Sequence, residues 1–447
     1  MVNMIYKYLH LANYKDIPNW SVQYADEEDL GFTRKYPMAR IGAFLTRRKE
    51  AIVIQDGIIY KRVTVSTKGG NITIRDEKDG KLIGTKKQFV IHEGQFLLSK
   101  IDARNGAYGV VPVIAEGAII TGNFWTYDVD YKRINPQFLT LVTKTQQFLD
   151  FAEKSSNGTT NRHYLQEEAF LNQQIPLPSI EEQKLILDDY NTHMESAIRK
   201  EYKIKSLAVD SQQLICNILG IKQKVSQKSE SLLQFIHLTD TNSRWDALAD
   251  TYAIESKYQI YNLGKFIIHI STGTTPPTSH PEYFDGDVKF FTPADLGNNK
   301  YLEHSSRTIT DIAIDDKKAR VYHKGDILFV GIGSTVGKVG IVKDEMVSSN
   351  QQITGFTIDS RKINPEYVYY YLLYNRDITT ADQSKTTLPI VNQDKICKIP
   401  IVVPPIKVQD EIVSSLDKMY LEAKRDEKEI TVLERKAISS FEHNIFD

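Results

Sequence analysis

The residues with the most obvious chemistry lie in the second half of the chain. Asp326-Ile327-Leu328-Phe329-Val330-Gly331-Ile332-Gly333 ends an apolar run in an F-x-G-x-G pattern. Glycines so placed let a backbone approach a nucleotide-like cofactor such as S-adenosylmethionine. Downstream, Asn364-Pro365-Glu366-Tyr367 is close to an N-P-P-Y box, which would hold an extruded adenine amine beside an aromatic ring. The implied chemistry is methyl transfer to adenine. Two features weigh against it. Glu366 stands where the second proline belongs. When the chain is aligned on itself, Gly331 to Gly340 falls on Lys100 to Gly109, which lacks both cofactor glycines yet keeps Gly106 and Gly109 against Gly337 and Gly340. The shared feature is a glycine turn between strands.

Other catalytic patterns fail on their spacing. A phosphate loop ending at Gly337-Lys338 would need glycine at Ile332 and a hydroxyl at Val339. Glu182-Gln183-Lys184 is an E-x-K triplet of the kind nucleases use, but it opens a helix and has no companion aspartate on an adjoining strand. No H-E-x-x-H, C-x-x-C or G-x-S-x-G occurs. The expectation is a chain with no catalytic and no metal-binding residues.

What remains is a set of polar turns. Lys100, Arg104 and Asn105 share one strand-turn, and Ser155 to His163 reads as a loop of donors and acceptors that includes Ser156, Asn157, Thr159, Thr160, Asn161 and Arg162. In the second half Thr272, Thr274 and Thr275 sit around Gly273, followed by Ser334, Thr335 and Lys338 and then Ser384-Lys385-Thr386-Thr387. Short hydroxyls, amides and guanidinium groups on glycine-hinged turns suit contacts to phosphates and base edges. Arg104 and Arg162 are the strongest candidates, because guanidinium pairs bidentately with guanine or phosphate.

The composition sets bounds. The 447 residues are 41% hydrophobic and 25% charged, as in a globular chain. Lys plus Arg is 56 and Asp plus Glu is 57, a net charge of -1, which excludes a diffuse histone-like grip on nucleic acid but not a local groove. No apolar run approaches the roughly 20 residues of a membrane span, and Met1 to His10 has no basic region followed by an apolar stretch. Cys216 and Cys397 are the two cysteines, too few for a disulfide scaffold or a Cys-rich zinc site. A cytoplasmic, non-membrane protein is expected.

The elements that must position these turns come in two sets. Trp20 pairs with Trp245, Ile41 to Leu45 with Leu263 to Ile267, His92-Glu93-Gly94 with His323-Lys324-Gly325, Ile134-Asn135-Pro136 with Ile363-Asn364-Pro365, and Pro178 to Gln183 with Pro404 to Gln409, at offsets of 222 to 231 residues. In each set short β-branched and aromatic runs read as strands: Ile72 to Ile74, Phe89 to Ile91, Phe96 to Leu98 and Val110 to Ile114, then Val288 to Phe291, Ile327 to Val330 and Val339 to Val342. A short helix is expected after each Asn-Pro, over Phe138 to Glu153 and Tyr367 to Asn375.

Each half then ends in a long helix. Ser179 with Glu182 forms a capping-box spacing and Gly220 is a natural stop, so the first runs for about 60 Å. The second opens after Pro404-Pro405, with Ile412, Leu416, Met419, Ala423, Ile430, Leu433, Ala437 and Phe441 near a heptad seam that is interrupted at Asp426. Helices this long outrun a domain whose radius of gyration is about 15 Å. The expected fold is α+β: two pseudo-symmetric domains, 1–178 and 223–403, separated by helices 179–222 and 404–447 that pair as an antiparallel coiled-coil spacer.

At this point the chain resembles the specificity (S) subunits of type I restriction–modification enzymes. The likeness is carried by Gly94 to Gly106, the Ser156 to Arg162 loop, and the paired segments Ile175 to Gln183 and Ile399 to Gln409. It departs at Lys407-Val408-Gln409, where the family usually has acidic residues. The resemblance implies a non-catalytic reader of double-stranded DNA. Two target-recognition domains would each read half of a bipartite site, and the helices would set the gap. Two methyltransferase (M) subunits and motor-nuclease (R) subunits would be recruited, with S-adenosylmethionine, ATP and magnesium bound on those partners and no cofactor in this chain. The alternative is an S-adenosylmethionine-dependent adenine DNA methyltransferase using Phe329 to Gly333 and Asn364 to Tyr367. Only the first reading predicts the repeat.

Overall fold

A computed structural model describes residues 30–67, 71–159, 162–223, 254–297, 299–380 and 389–447. The Trp20–Trp245 pair lies outside them. The chain forms two units: the residues up to Arg199 with Glu429–Asp447, and Lys200–Lys428. Each long helix therefore contributes to both.

In the first unit the main sheet is β1 (Leu45–Arg48), β2 (Phe96–Ser99), β3 (Tyr108–Val110) and β4 (Phe124–Val129), hydrogen-bonded in the antiparallel order β1-β4-β2-β3. The apolar run in β2 has no polar face because both faces are covered. Phe96 and Leu98 enter an aromatic core with Phe138, Phe148 and Phe170, while Leu97 joins Val63, Ile91 and Val111 on the other side. A second, five-stranded sheet is built from Glu50–Val53, Lys87–Val90, Ile119–Ile120, Ile59–Val65 and Ile72–Asp79.

In the second unit the main sheet is β5 (Ile267–Thr272), β6 (Tyr301–Leu302), β7 (Ile327–Val330), β8 (Val339–Val342) and β9 (Ile353–Ile358), in the order β5-β9-β7-β8-β6. Apart from β6 this is the path of the first unit. Ile327 and Phe329 of β7 face one core and Leu328 and Val330 another, as in β2. The accompanying sheet differs, with four strands at Arg307–Ile309, Phe284–Phe291, Met346–Ser349 and Val321–His323. The repeat is thus a repeat of the main sheet and its flanking elements. The α+β class holds.

Two expectations need correction. The run Val110 to Ile114 is strand only at Val110; Pro112 has no N–H for a ladder, and Val113–Ala115 form one 3-10 turn. The helix expected over Phe138 to Glu153 is two, Pro136–Val142 and Gln146–Lys154. The Thr143 and Thr145 hydroxyls donate to the Thr140 and Val142 carbonyls and break it. The corresponding helix of the second unit spans Pro365–Tyr374, with the Asn364 side chain capping its first N–H groups.

The long helices are Ile180–Leu219 and Ile406–Phe446. Ser179 and Glu182 form the reciprocal capping box: the Ser179 N–H donates to Glu182 Oε2 at 2.9 Å and the Glu182 N–H to Ser179 Oγ at 3.2 Å. Gly220, at φ +66°, ends the helix in the left-handed conformation that glycine adopts without strain. Just inside each helix a glutamine is buried, Gln183 at 0% and Gln409 at 1% exposure. Gln183 Nε2 donates to the carbonyls of Arg133 (2.9 Å) and Pro178 (2.8 Å), and its Oε1 accepts the Asn135 N–H at 2.7 Å. Gln409 Nε2 donates to the Pro404 carbonyl and its Oε1 accepts the Asn364 N–H, both at 2.8 Å.

Within the first unit, Phe441 packs edge-on against Phe138 and Tyr190, and the Ser440 hydroxyl donates to Asp189. Within the second, the helices pair antiparallel: Lys200 reaches Asp426 at 2.7 Å, Lys203 reaches Glu422 at 2.5 Å, and Ser211 meets Met419. The interruption of the heptad seam at Asp426 is explained. Asp426 is 1% exposed and is bridged by Lys200 and Lys203 (3.2 Å) of the facing helix.

Two predictions arise. Replacing Gln183 or Gln409 by Ala strands a buried N–H and at least one carbonyl, and should cost about 2–4 kcal/mol in urea denaturation; a change under about 0.5 kcal/mol would show the staple to be dispensable. Lys200 holds the Asp426 carboxyl below the usual carboxylate range, with Lys203 adding to this. The pair therefore stabilises fully above the unfolded value near 3.9, and that stability is lost as pH falls through the lower folded value. Asp426→Ala should cost about 1–3 kcal/mol at pH 7, less than a fully buried pair because both lysines reach solvent. The difference from wild type should shrink in acid.

Candidate nucleic-acid interface

In the first unit the polar turn follows β2. Ala103–Asn105 make a single 3-10 turn, and Gly106 (φ +80°) closes it. Lys100 is tied in place by backbone: its N–H donates to the Asn123 carbonyl at 2.8 Å and its carbonyl accepts the Leu165 N–H at 3.0 Å. The segment expected as a loop, Ser155 to His163, is instead the start of a β-hairpin. Ser156–Thr159 pairs antiparallel with Arg162–Leu165, Asn157 opposite Tyr164 and Thr159 opposite Arg162. Thr160 and Asn161, between the two strands in sequence, lie outside the described residues. The Ser156 hydroxyl donates to the Ala152 carbonyl at 2.5 Å, so it finishes the preceding helix. Asn105 is exposed. Arg104 stands 3.9 Å from Glu153, while Asp102 is held by the Ser99 hydroxyl.

The fold adds residues that the sequence reading missed. Arg47 on β1 lies over the rings of Trp125 (5.6 Å) and Tyr127 (5.2 Å), with Nε 3.2 Å from Glu167. Lys100 Nζ is 5.8 Å from the Trp125 ring. Two cations thus share one aromatic floor and one carboxylate. Burial pushes the titration of both downward, and for Lys100 the Arg47 charge adds to it. A clue was present in Arg47-Arg48-Lys49, a basic run closing an apolar strand.

In the second unit three turns converge. Gly273 lies against the Ser349–Asn350 backbone, where a Cβ would sit 2.3 Å from the Asn350 carbonyl oxygen, so only glycine permits this approach. Beside it, the Thr274 N–H donates to the Ser349 carbonyl (3.0 Å) and the Thr275 hydroxyl to Gln351 Oε1 (2.5 Å). Thr272 is engaged internally, 3.0 Å from the Thr354 hydroxyl and accepting from Gln393 Nε2 at 2.9 Å. Ser334 is exposed and Thr335 half-buried on the turn after β7. The half-buried Lys338 lays its aliphatic stem against Gly297. Gln352 Nε2 bridges to the Ile332 carbonyl at 3.4 Å, joining the third turn, Asn350–Gln352, which was also missed. Ser384, Lys385, Thr386 and Thr387 lie outside the described residues.

The methyltransferase motifs are occupied by structure. Phe329 is core. Gly331 is enclosed by backbone, donating to the Gln352 carbonyl and accepting from the Val391 N–H, each at 2.8 Å, and a Cβ there would lie 2.6 Å from the Val391 oxygen. Asn364 caps a helix, and the buried Tyr367 donates its hydroxyl to the Val402 carbonyl. Among the described residues no group of three or more His, Cys, Asp or Glu could hold a metal ion, and no helix is long and apolar enough to cross a membrane.

The family model for the type I restriction modification DNA specificity domain matches twice, over residues 26–206 and 255–435. The chain belongs to this specificity family. Among its relatives is the type I restriction enzyme MjaIX specificity subunit of Methanocaldococcus jannaschii, 27% identical over 191 residues, a match covering 41% of this chain and 43% of that protein. The MjaVIII specificity subunit of the same organism is 21% identical over 413 residues, 88% of each chain. A solved chain from work on complex assembly and conformational transition of the type I R-M system shares the fold, with a TM-score of 0.52 at 16% identity over 92% of this chain and 98% of that one. The chain is thus a specificity subunit with two target-recognition domains and a non-catalytic, DNA-recognition role. The adenine methyltransferase alternative is not favoured.

Arg104 is the sharpest single test in the first domain. Its long pairing with the exposed Glu153 contributes little to folding, so Arg104→Ala should change stability by less than about 0.5 kcal/mol. If it reads a base, discrimination at one position should fall by about 1–3 kcal/mol. A uniform loss over all duplexes, with the salt slope reduced by about one, would assign it to phosphate. Unchanged binding to every duplex would remove it from the site.

Proposed function

We propose that this subunit reads a bipartite double-stranded DNA target, one half-site per target-recognition domain. The carrying observation is that the two units share one sheet path while their turns differ in chemistry. The turn holding Lys100, Arg104 and Asn105, together with the hairpin that carries Asn157, Thr159 and Arg162, serves the first half-site. The Thr274–Thr275 and Ser334–Lys338 turns serve the second. Thr160, Asn161, Ser384, Lys385, Thr386 and Thr387, outside the described residues, are candidates for the same two half-sites on their chemistry alone. Domain limits of 1–178 and 223–403, with helices 179–222 and 404–447 between and after them, follow the repeat. The helices set the gap and recruit two methyltransferase subunits, and motor-nuclease subunits join for cleavage, in the cytoplasm. S-adenosylmethionine, ATP and magnesium belong to those partners.

The near-zero net charge supports this division of labour. Non-specific phosphate attraction scales with the number of basic contacts, so partners must supply much of the grip. The test is to express the chain with the methyltransferase subunits of its own system and map methylated sites in the host genome. One split motif, absent when this chain is omitted, is expected. Methylation at unrelated single sites, or the same motif without this chain, would overturn the proposal.

A further inference from the structure

In the turn Asn350–Gln352 the Asn350 and Gln352 side chains are bonded to each other or to the neighbouring turn, and the Gln351 side chain is not part of that set. Asn350 Nδ2 donates to Gln352 Oε1 and the Gln352 N–H to Asn350 Oδ1, both at 3.1 Å. Gln351, between them, is exposed at the apex, and the Thr275 hydroxyl donates to its Oε1 at 2.5 Å. A carboxamide oxygen accepts two hydrogen bonds and its nitrogen donates two. Thr275 therefore occupies one lone pair of that oxygen. An acceptor and a donor side by side remain, the pattern complementary to N6 and N7 of adenine in the major groove.

The first unit supplies the comparison. There the Lys100 N–H donates to the Asn123 carbonyl where in the second the Gly331 N–H donates to the Gln352 carbonyl. This pairing sets Gln351 opposite Gly122, which has no side chain. The backbone turn is kept while the apex side chain differs, as a position that reads sequence requires. Holding the amide with a hydroxyl also removes rotamer freedom before DNA arrives, lowering the cost of binding.

We infer that Gln351 reads an adenine in the half-site of the second domain, with Thr275 as its positioning residue. The inference rests on the DNA-reading function proposed above. The experiment is competition binding by the complex with its methyltransferase subunits, using duplexes in which each target position is varied in turn. Gln351→Ala should weaken the cognate duplex about 10–100-fold and make one position, A·T for the wild type, indifferent to base, with every other position unchanged. Gln351→Glu should move that position toward cytosine, whose N4 amine needs an acceptor. Thr275→Val should weaken binding at the same position, and Thr275→Ser should restore it. An unchanged profile for Gln351→Ala, equal loss on every duplex, or relaxation at a G·C position would overturn the inference while leaving the two-domain reading intact. A wild-type complex indifferent to every position would overturn both.

Discussion

One buried carboxamide fixes each half of this molecule. Gln183 and Gln409 sit where three segments meet: the proline-bounded lead into a long helix, the first turn of that helix, and the Asn-Pro turn before a shorter one. A buried amide left unpaired costs as much as several good contacts contribute. The three segments can therefore close together in essentially one arrangement. This accounts for the recurrence of Gln at the same short distance after the Pro in both halves, each bonded to the Asn of an Asn-Pro turn. It also leaves the exposed side chains on the turns after β2 and β7, such as Asn105 and Ser334, free to differ, while Ala103 and Val336 of the same turns stay in the two cores.

The differences between those turns are chemical in kind. The first domain offers cations on an aromatic floor, Arg47 and Lys100 at Trp125, with Arg104 and Asn105 beyond. The second offers hydroxyls and amides locked to one another, Thr275 to Gln351 and Gln352 to Ile332. Guanidinium favours guanine and phosphate, whereas a carboxamide favours adenine. A chain with a net charge of -1 can thus carry two different readers on one scaffold.

Much of the framework was legible because its signals are local. The Ser179–Glu182 box, the stop at Gly220 and the apolar runs of β2, β7 and β8 depend on neighbours within a few residues. The repeat extended these signals to the topology, since β1-β4-β2-β3 and β5-β9-β7-β8 follow one path. The sites were less legible for two reasons. Arg47 meets Trp125 only because β1 and β4 pair across a long stretch of sequence. Asn350–Gln352 has the composition of any surface turn, and its role appears only when Thr275 is folded beside it. The hairpin at Ser156–Leu165 was hidden by its own polarity: Asn-Gly-Thr-Thr-Asn shows no alternation of apolar and polar residues.

The central claim is that each domain reads its half-site independently of the other. The most direct measurement exchanges residues 223–403 for the matching domain of a relative with a different target, then maps methylated sites made by the complex. The account predicts a target whose one half is unchanged and whose other half is the donor's. A target altered in both halves, or in neither while the exchanged chain is folded and active, would contradict it.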